Sequence, residues 1–161
     1  MDKQLSQAIH LRNIGSLKES NQMFMQLVKT HPNDANIQYQ CAWSLDVLGE
    51  EAEAVPYYER AIELGLPDED LAGAYLGLGS TYRTLGAYEQ SRQIFEKALA
   101  VFPENNAIAC FYAMTLYNLQ EYERAMGILL KALADTSSDR HIHDYKKAIV
   151  YYSDKLHKVW R

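Results

Sequence analysis

The chain is poor in the features that fix most functions from sequence. Of its 161 residues two are cysteine, Cys41 and Cys110, far apart among apolar neighbours and without CxxC spacing. They read as reduced, buried thiols rather than a disulfide. No stretch approaches the roughly 18 consecutive apolar residues of a membrane-spanning helix, and the opening "MDKQLSQAIHLRNIG" has acidic and amide residues where a signal peptide needs a basic start and an apolar run. The expectation is a cytoplasmic protein, complete or nearly so, with no membrane partner. Positive charge is also short: 16 Lys+Arg face 21 Asp+Glu, for a net charge of −5. Nucleic acid and anionic membranes, which need a basic field, are therefore not expected partners.

Catalytic signatures are missing as well. There is no GxSxG elbow, Walker loop or HExxH. Gly77 and Gly79 in "GLGSTY" imitate a dinucleotide fingerprint, but the third glycine place is Tyr82 and no strand precedes it. Ser80 has no histidine placed to activate it. His141, His143 and Asp144 offer ligand chemistry, yet residues two apart on a helix point to different faces, so they read as a solvated helix start. Most acidic residues belong to the wet faces of amphipathic helices. No catalytic residue, metal or cofactor is expected, and the chain does not read as an enzyme.

What is present is a repeat. With 48% apolar and 23% charged residues the composition is that of a globular chain. The segment "AYLGLGSTYRTLGAYEQS" holds three glycines inside helical patterning, and each should cost an interior helix roughly 1 kcal/mol relative to alanine. From Gly86, equivalent positions recur at Gly49, Gly15 and Gln120, at intervals of 34, 37 and 34 residues. Units then span 1–34, 35–71, 72–105 and 106–137. The eighth place of each unit holds Ala8, Ala42, Gly79 and Ala113, and the twentieth holds Ser20, Ala54, Ser91 and Ala125. Four residues after these small ones stand the bulky Phe24, Tyr58, Phe95 and Leu129. Leu11, Leu45, Tyr82 and Leu116 complete the apolar set at helical spacing.

These columns resemble the tetratricopeptide repeat, a 34-residue pattern of W-x2-L-G-x2-Y, A-x3-F, A and P. The third unit matches best, with Tyr75, Leu78, Gly79, Tyr82, Ser91, Phe95, Ala98 and Pro103 in family places. Longer strings such as "EEAEAVPYYERAIELGLPDEDLAGAYLGLGSTYRTLG" are similar to a small, functionally uncharacterised bacterial subfamily. The resemblance implies an all-α fold: a right-handed α-solenoid of antiparallel helix pairs, about four units forming one domain over 1–161. Position eight then packs against position twenty, and Gly15, Gly49 and Gly86 close first helices in the left-handed conformation. Gln120 in that place predicts a strained or differently capped turn.

Pro32 and Pro103 follow helices they cannot continue, with Asn or Asp available to cap the next. In "GLPDED", Gly65 closes a helix, Pro67 stops it and Asp68 is the expected cap of a lengthened successor. Pro56 falls inside a second helix and predicts a bend. After "DTSSDR" the pattern resumes with Ile142, Tyr145, Ile149, Tyr152, Leu156 and Val159 on one face, predicting a capping helix over 140–160 that covers the apolar end of the stack.

The resemblance also implies a concave surface lined by first helices. Its places hold Leu5, Ile9, Arg12 and Asn13 in unit one, Tyr39 and Trp43 among those of unit two, Gly73, Leu76, Ser80 and Arg83 in unit three, and Cys110, Met114 and Tyr117 in unit four. Tyr39, Trp43, Leu76, Met114 and Tyr117 would make an apolar floor carrying Arg83 as its single cation, of the residue types that dominate hot spots. The plainer alternative is that they fill space between first helices. Gly73 and Gly77 leave a bare face for close approach by a partner backbone or helix, unless they are drift at a tolerant surface. The carboxylate-clamp places of chaperone-binding members hold Leu5, Ile9, Gln40, Gly73 and Gly77, so that role is not expected. The leading expectation is a non-catalytic adaptor binding a peptide or helix of a protein partner in this groove. The alternative is a self-associating homodimer using the groove or the tyrosine-rich last helix.

Overall fold

The computed structural model describes residues 2–161; Met1, where the first unit begins, lies outside the described residues. The elements are α1 (Asp2–Asn13), α2 (Leu17–Thr30), α3 (Ala35–Asp46), α4 (Glu51–Leu64), α5 (Asp68–Thr84), α6 (Tyr88–Val101), α7 (Asn106–Asn118), α8 (Tyr122–Thr136), α9 (Arg140–Asp144) and α10 (Lys146–Tyr152). There is no strand among the described residues. Helices pair in order from α1 with α2 to α7 with α8, and each second helix packs on the next first helix. Successive first helices α1, α3, α5 and α7 also touch, whereas second helices meet one another at most marginally among the described residues. A stack drawn together along its first helices curves towards them, which makes that side the inner face.

The turn chemistry explains where the helices stop. Gly15, Gly49 and Gly86 have φ of 87°, 80° and 76°, and Gln120 adopts 64° in the same place. Each turn closes with the same pair of bonds, such as Gly86 N–H to Arg83 O at 3.0 Å and Ala87 N–H to Tyr82 O at 2.9 Å. In the fourth unit Gln120 N–H meets Tyr117 O at 3.0 Å and Glu121 N–H meets Leu116 O at 2.9 Å. This is the Schellman arrangement throughout; the fourth turn keeps it with a side chain that disfavours it.

The Asp34 and Asn105 carboxyl and amide oxygens accept from Ile37 N–H at 3.0 Å and Ile108 N–H at 3.1 Å, capping α3 and α7 as expected. Asp68 does not cap α5. Pro67 takes the cap position without a side-chain bond, and Asp68 is the first helical residue, where its charge still favours the positive helix end. Through Pro56, α4 runs unbroken. The proline is exposed, where solvent can replace the hydrogen bond it lacks.

Within units the small positions meet as expected. Ser20 Oγ donates to Ala8 O and Ser91 Oγ to Gly79 O, both at 2.7 Å. A Cβ on Gly79 would stand 2.6 Å from the Phe95 ring, so glycine there lets the ring lie against the helix backbone. Between units, Tyr112 Oη donates to Glu96 at 2.8 Å and Arg92 pairs with Glu121 at 2.6 Å. These donors, Tyr112 first, hold the Glu96 carboxyl below its usual range.

The end of the stack departs from expectation. In place of one helix over 140–160 stand the short α9 and α10, and the chain leaves helix after Tyr152. Tyr145, Tyr152, Leu156 and Val159, expected on a buried face, are exposed. The segment folds back on α8 at Gly127, where an added Cβ would meet the Ser153 carbonyl oxygen at 2.5 Å. In α6 the matching place is the exposed Gln93. The C-terminal segment thus lies along a side of the last second helix that other units leave open.

Candidate functional site

The inner face divides the expected groove residues into separate neighbourhoods. In the first, Tyr39 and Trp43, one turn apart on α3, stack with centroids 6.2 Å apart and planes at 26°. The Arg12 guanidinium, reaching from α1, lies 3.8 Å from the Trp43 ring centre and donates from Nη2 to Gln40 Oε1 at 2.7 Å. Burial lowers the Arg12 pKa from its usual value, and its Nη1 has no hydrogen-bond partner among the described residues. Trp43 nevertheless remains 40% exposed. Arg83 is therefore not the single cation of this face: a second arginine stacks on the tryptophan, a contact worth about 0.5–2 kcal/mol. Arg12 stands at an expected inner-face place, the same one that Arg83 holds in unit three.

Gly73 and Gly77 do not present a bare face to a partner. A Cβ on Gly73 would collide with the Tyr39 hydroxyl, and one on Gly77 would come within 2.5 Å of the Tyr58 ring and hydroxyl. The glycines of α5 make room for tyrosines of the preceding unit. Tyr58 is buried and donates to Asp46 Oδ2 at 3.1 Å. Its pKa is pushed up, by burial first and then by the Asp46 charge. Burial also raises the Asp46 carboxyl above the usual range despite that bond, and raises Tyr39, with Asp70 adding and Arg12 opposing.

Leu76 lies in a different hollow of about 430 Å³ with Ala72, Gly73 and Phe102, rimmed by Asp68 and Glu69. Met114 and Tyr117 lie in a third, of about 570 Å³, with Arg83, Tyr122, Met126 and Leu129. Here Tyr117 and Tyr122 meet edge to face at 5.1 Å. Arg83 Nη1 is 3.5 Å from Asn118 Oδ1, and its Nε is buried without a partner among the described residues. Tyr122 and Met126 stand at i and i+4 relative to the repeat-column residue Leu129 at i+7, a face of α8 that the next unit would cover. Ser80 and Cys110, both half-buried, line neither of these two hollows.

Cys41 is buried and its thiol is pushed up to about 12 by loss of solvent, which leaves it unreactive. His141 and His143 are exposed at the start of α9, where Asp139 accepts from the His141 and Ile142 amides. No group of three His, Cys, Asp or Glu able to hold a metal occurs among the described residues. No helix described is long and apolar enough to cross a membrane.

Four similar helix pairs stacked in register, closed by the same turn and packed at the same small residues, define an α-solenoid built of repeats. The tetratrico peptide repeat family model matches residues 35–156, and the chain belongs to that family. It is 25% identical over 104 residues to Superkiller protein 3 of Saccharomyces cerevisiae, a stretch covering 60% of this chain and 7% of that protein. The chain thus spans a small fraction of that relative's length. Among solved structures, residue 41 to the end of MamA from Desulfovibrio magneticus RS-1 superposes with a TM-score of 0.76 at 16% identity, over 97% of this chain and 87% of that one. YrrB, described as a TPR protein with an unusual peptide-binding site, superposes with a TM-score of 0.71 at 14% identity, over 94% of this chain and 77% of its own. At these identities the likeness is one of fold.

Proposed function

We propose that the chain is a non-catalytic interaction module that holds a peptide or helix of another protein on its inner face, with Trp43 as the anchor. One observation carries this reading. Trp43 is held in place by Tyr39 and Arg12, yet keeps 40% of its surface open. A fixed aromatic with an open face suits a partner's apolar side chain. The repeat fold and the peptide-binding site in the description of YrrB support the same class of role.

Random peptides displayed on phage and selected on the immobilised protein test this. Enriched sequences should lose binding roughly 30-fold on Trp43→Ala, the scale of a hot-spot residue, while the variant keeps its helical circular dichroism. No enrichment, or enriched peptides indifferent to Trp43→Ala, refutes the placement. A second reading, self-association, is favoured by the exposed cluster of Tyr151, Tyr152 and Trp160, whose rings meet at 5.1 and 5.5 Å. Sedimentation across concentration decides it, and a constant monomer removes it.

A further inference from the structure

The far end of the stack holds a vacant helix position. In unit three the face formed by Gly79, Ser91 and Phe95 is covered by α7: Thr115 Oγ1 lies 2.8 Å from Ser91 Oγ, and the Tyr112 ring packs on Phe95 at 6.3 Å. In unit two, α5 covers Tyr58. Thirty-four residues on from Gly79, Ser91 and Phe95 stand Ala113, Ala125 and Leu129, which line the hollow of about 570 Å³ together with Met114, Tyr117 and Met126. Phe24 and Phe95 are fully buried and Tyr58 is 2% exposed, but Leu129 is 39% exposed. The chain's own end does not fill this position, because α10 turns to the Gly127 side of α8.

We infer that this position receives an amphipathic helix from another protein, carrying an apolar stripe flanked by a carboxylate, which docks as the first helix of a fifth unit would. The carboxylate follows from charge. Arg83 is the one charged residue among those lining the hollow, it forms no ion pair among the described residues, and no acidic side chain lines the hollow. A second copy fits less well by either route. Head to tail it would present α1, which puts the charged Lys3 at the place where α3 buries Ile37. Tail to tail it would set two Arg83 hollows against each other without a carboxylate in either.

The position is separate from the Trp43 surface, so the two readings fail independently. The test uses stapled helical peptides of about 16 residues, alike in a leucine stripe at helical spacing and differing only in two flanking residues: Glu, Gln or Lys. Fluorescence anisotropy should rank Glu over Gln by about tenfold, the scale of a charge-assisted hydrogen bond, with Lys weakest. Arg83→Gln should erase the Glu preference. Leu129→Asp and, independently, Met126→Asp, both at exposed positions, should abolish binding with helicity retained, while Trp43→Ala leaves it unchanged. Equal binding of the three peptides, binding that survives both aspartates, or no binding to the folded wild type overturns the inference. So does a wild-type dimer that Leu129→Asp dissolves, which would assign the position to a second copy.

Discussion

Gly77→Ala sets two well-defined effects against each other. Alanine in place of an interior helical glycine favours the helix by about 1 kcal/mol. Against this, the new Cβ would lie 2.5 Å from both Cζ and Oη of Tyr58 and 2.8 Å from Cε1. The tyrosine is 2% exposed, and its ring also packs against Tyr39 at 6.2 Å. Forcing a group into such a site costs about 1–3 kcal/mol. Moving the ring also stretches its bond to the half-buried Asp46, and a hydrogen bond to a charged group is worth about 1.5–3 kcal/mol. The overpacking wins, and the net loss should be about 2 kcal/mol. In urea, with a slope of about 1–3 kcal/mol per molar, the unfolding midpoint followed by circular dichroism should fall by about 1 M. Gly73→Ala is the internal control, because its Cβ meets the hydroxyl end of a half-buried Tyr39 that can swing towards solvent; its loss should stay within about 0.5 kcal/mol. A Gly77→Ala midpoint at or above wild type, or equal losses at both glycines, refutes this account of the tyrosine contacts.

Gln120→Gly should raise stability by about 0.5–1 kcal/mol, because Gln120 sits at φ 64° in a Schellman turn that the other units close with glycine; an unchanged or lower midpoint counts against strain there. Gly127→Ala should lift the C-terminal segment from α8, since the new Cβ meets backbone, the Ser153 carbonyl, which cannot rotate aside. Hydrogen exchange should then lose protection across α10 while α3 to α6 keep theirs, and unaltered protection of α10 would show that the segment accommodates the methyl.

The legible part of this molecule was the part that repeats. Glycine at the ends of first helices, Asp34 and Asn105 at helix starts, and the small pairs Ser20 with Ala8 and Ser91 with Gly79 follow from local conformational preference and from packing within one unit. Gln120 stands out as a problem turn because it breaks a column of glycines. Legibility ended where contacts cross between units. Arg12 on Trp43, Tyr39 at Gly73 and Tyr58 at Gly77 are each set by the rotation from one helix pair to the next, and no residue pattern within a unit states that rotation. The groove expected from a row of equivalent positions therefore resolved into distinct neighbourhoods, each with its own partner side chains.

The sequence by itself determined the eight helices of the four units, their pairing and their register, because these depend on period, turn residues and size at close-packed positions, all encoded within one repeat length. The tertiary structure alone decided that two glycines serve tyrosines of the same chain, that Arg12 secures the exposed tryptophan, and that the last segment lies at Gly127 instead of over Leu129. An apolar stripe records that a helix face must be covered, but which of several available surfaces covers it depends on a balance of burial energies over the whole stack.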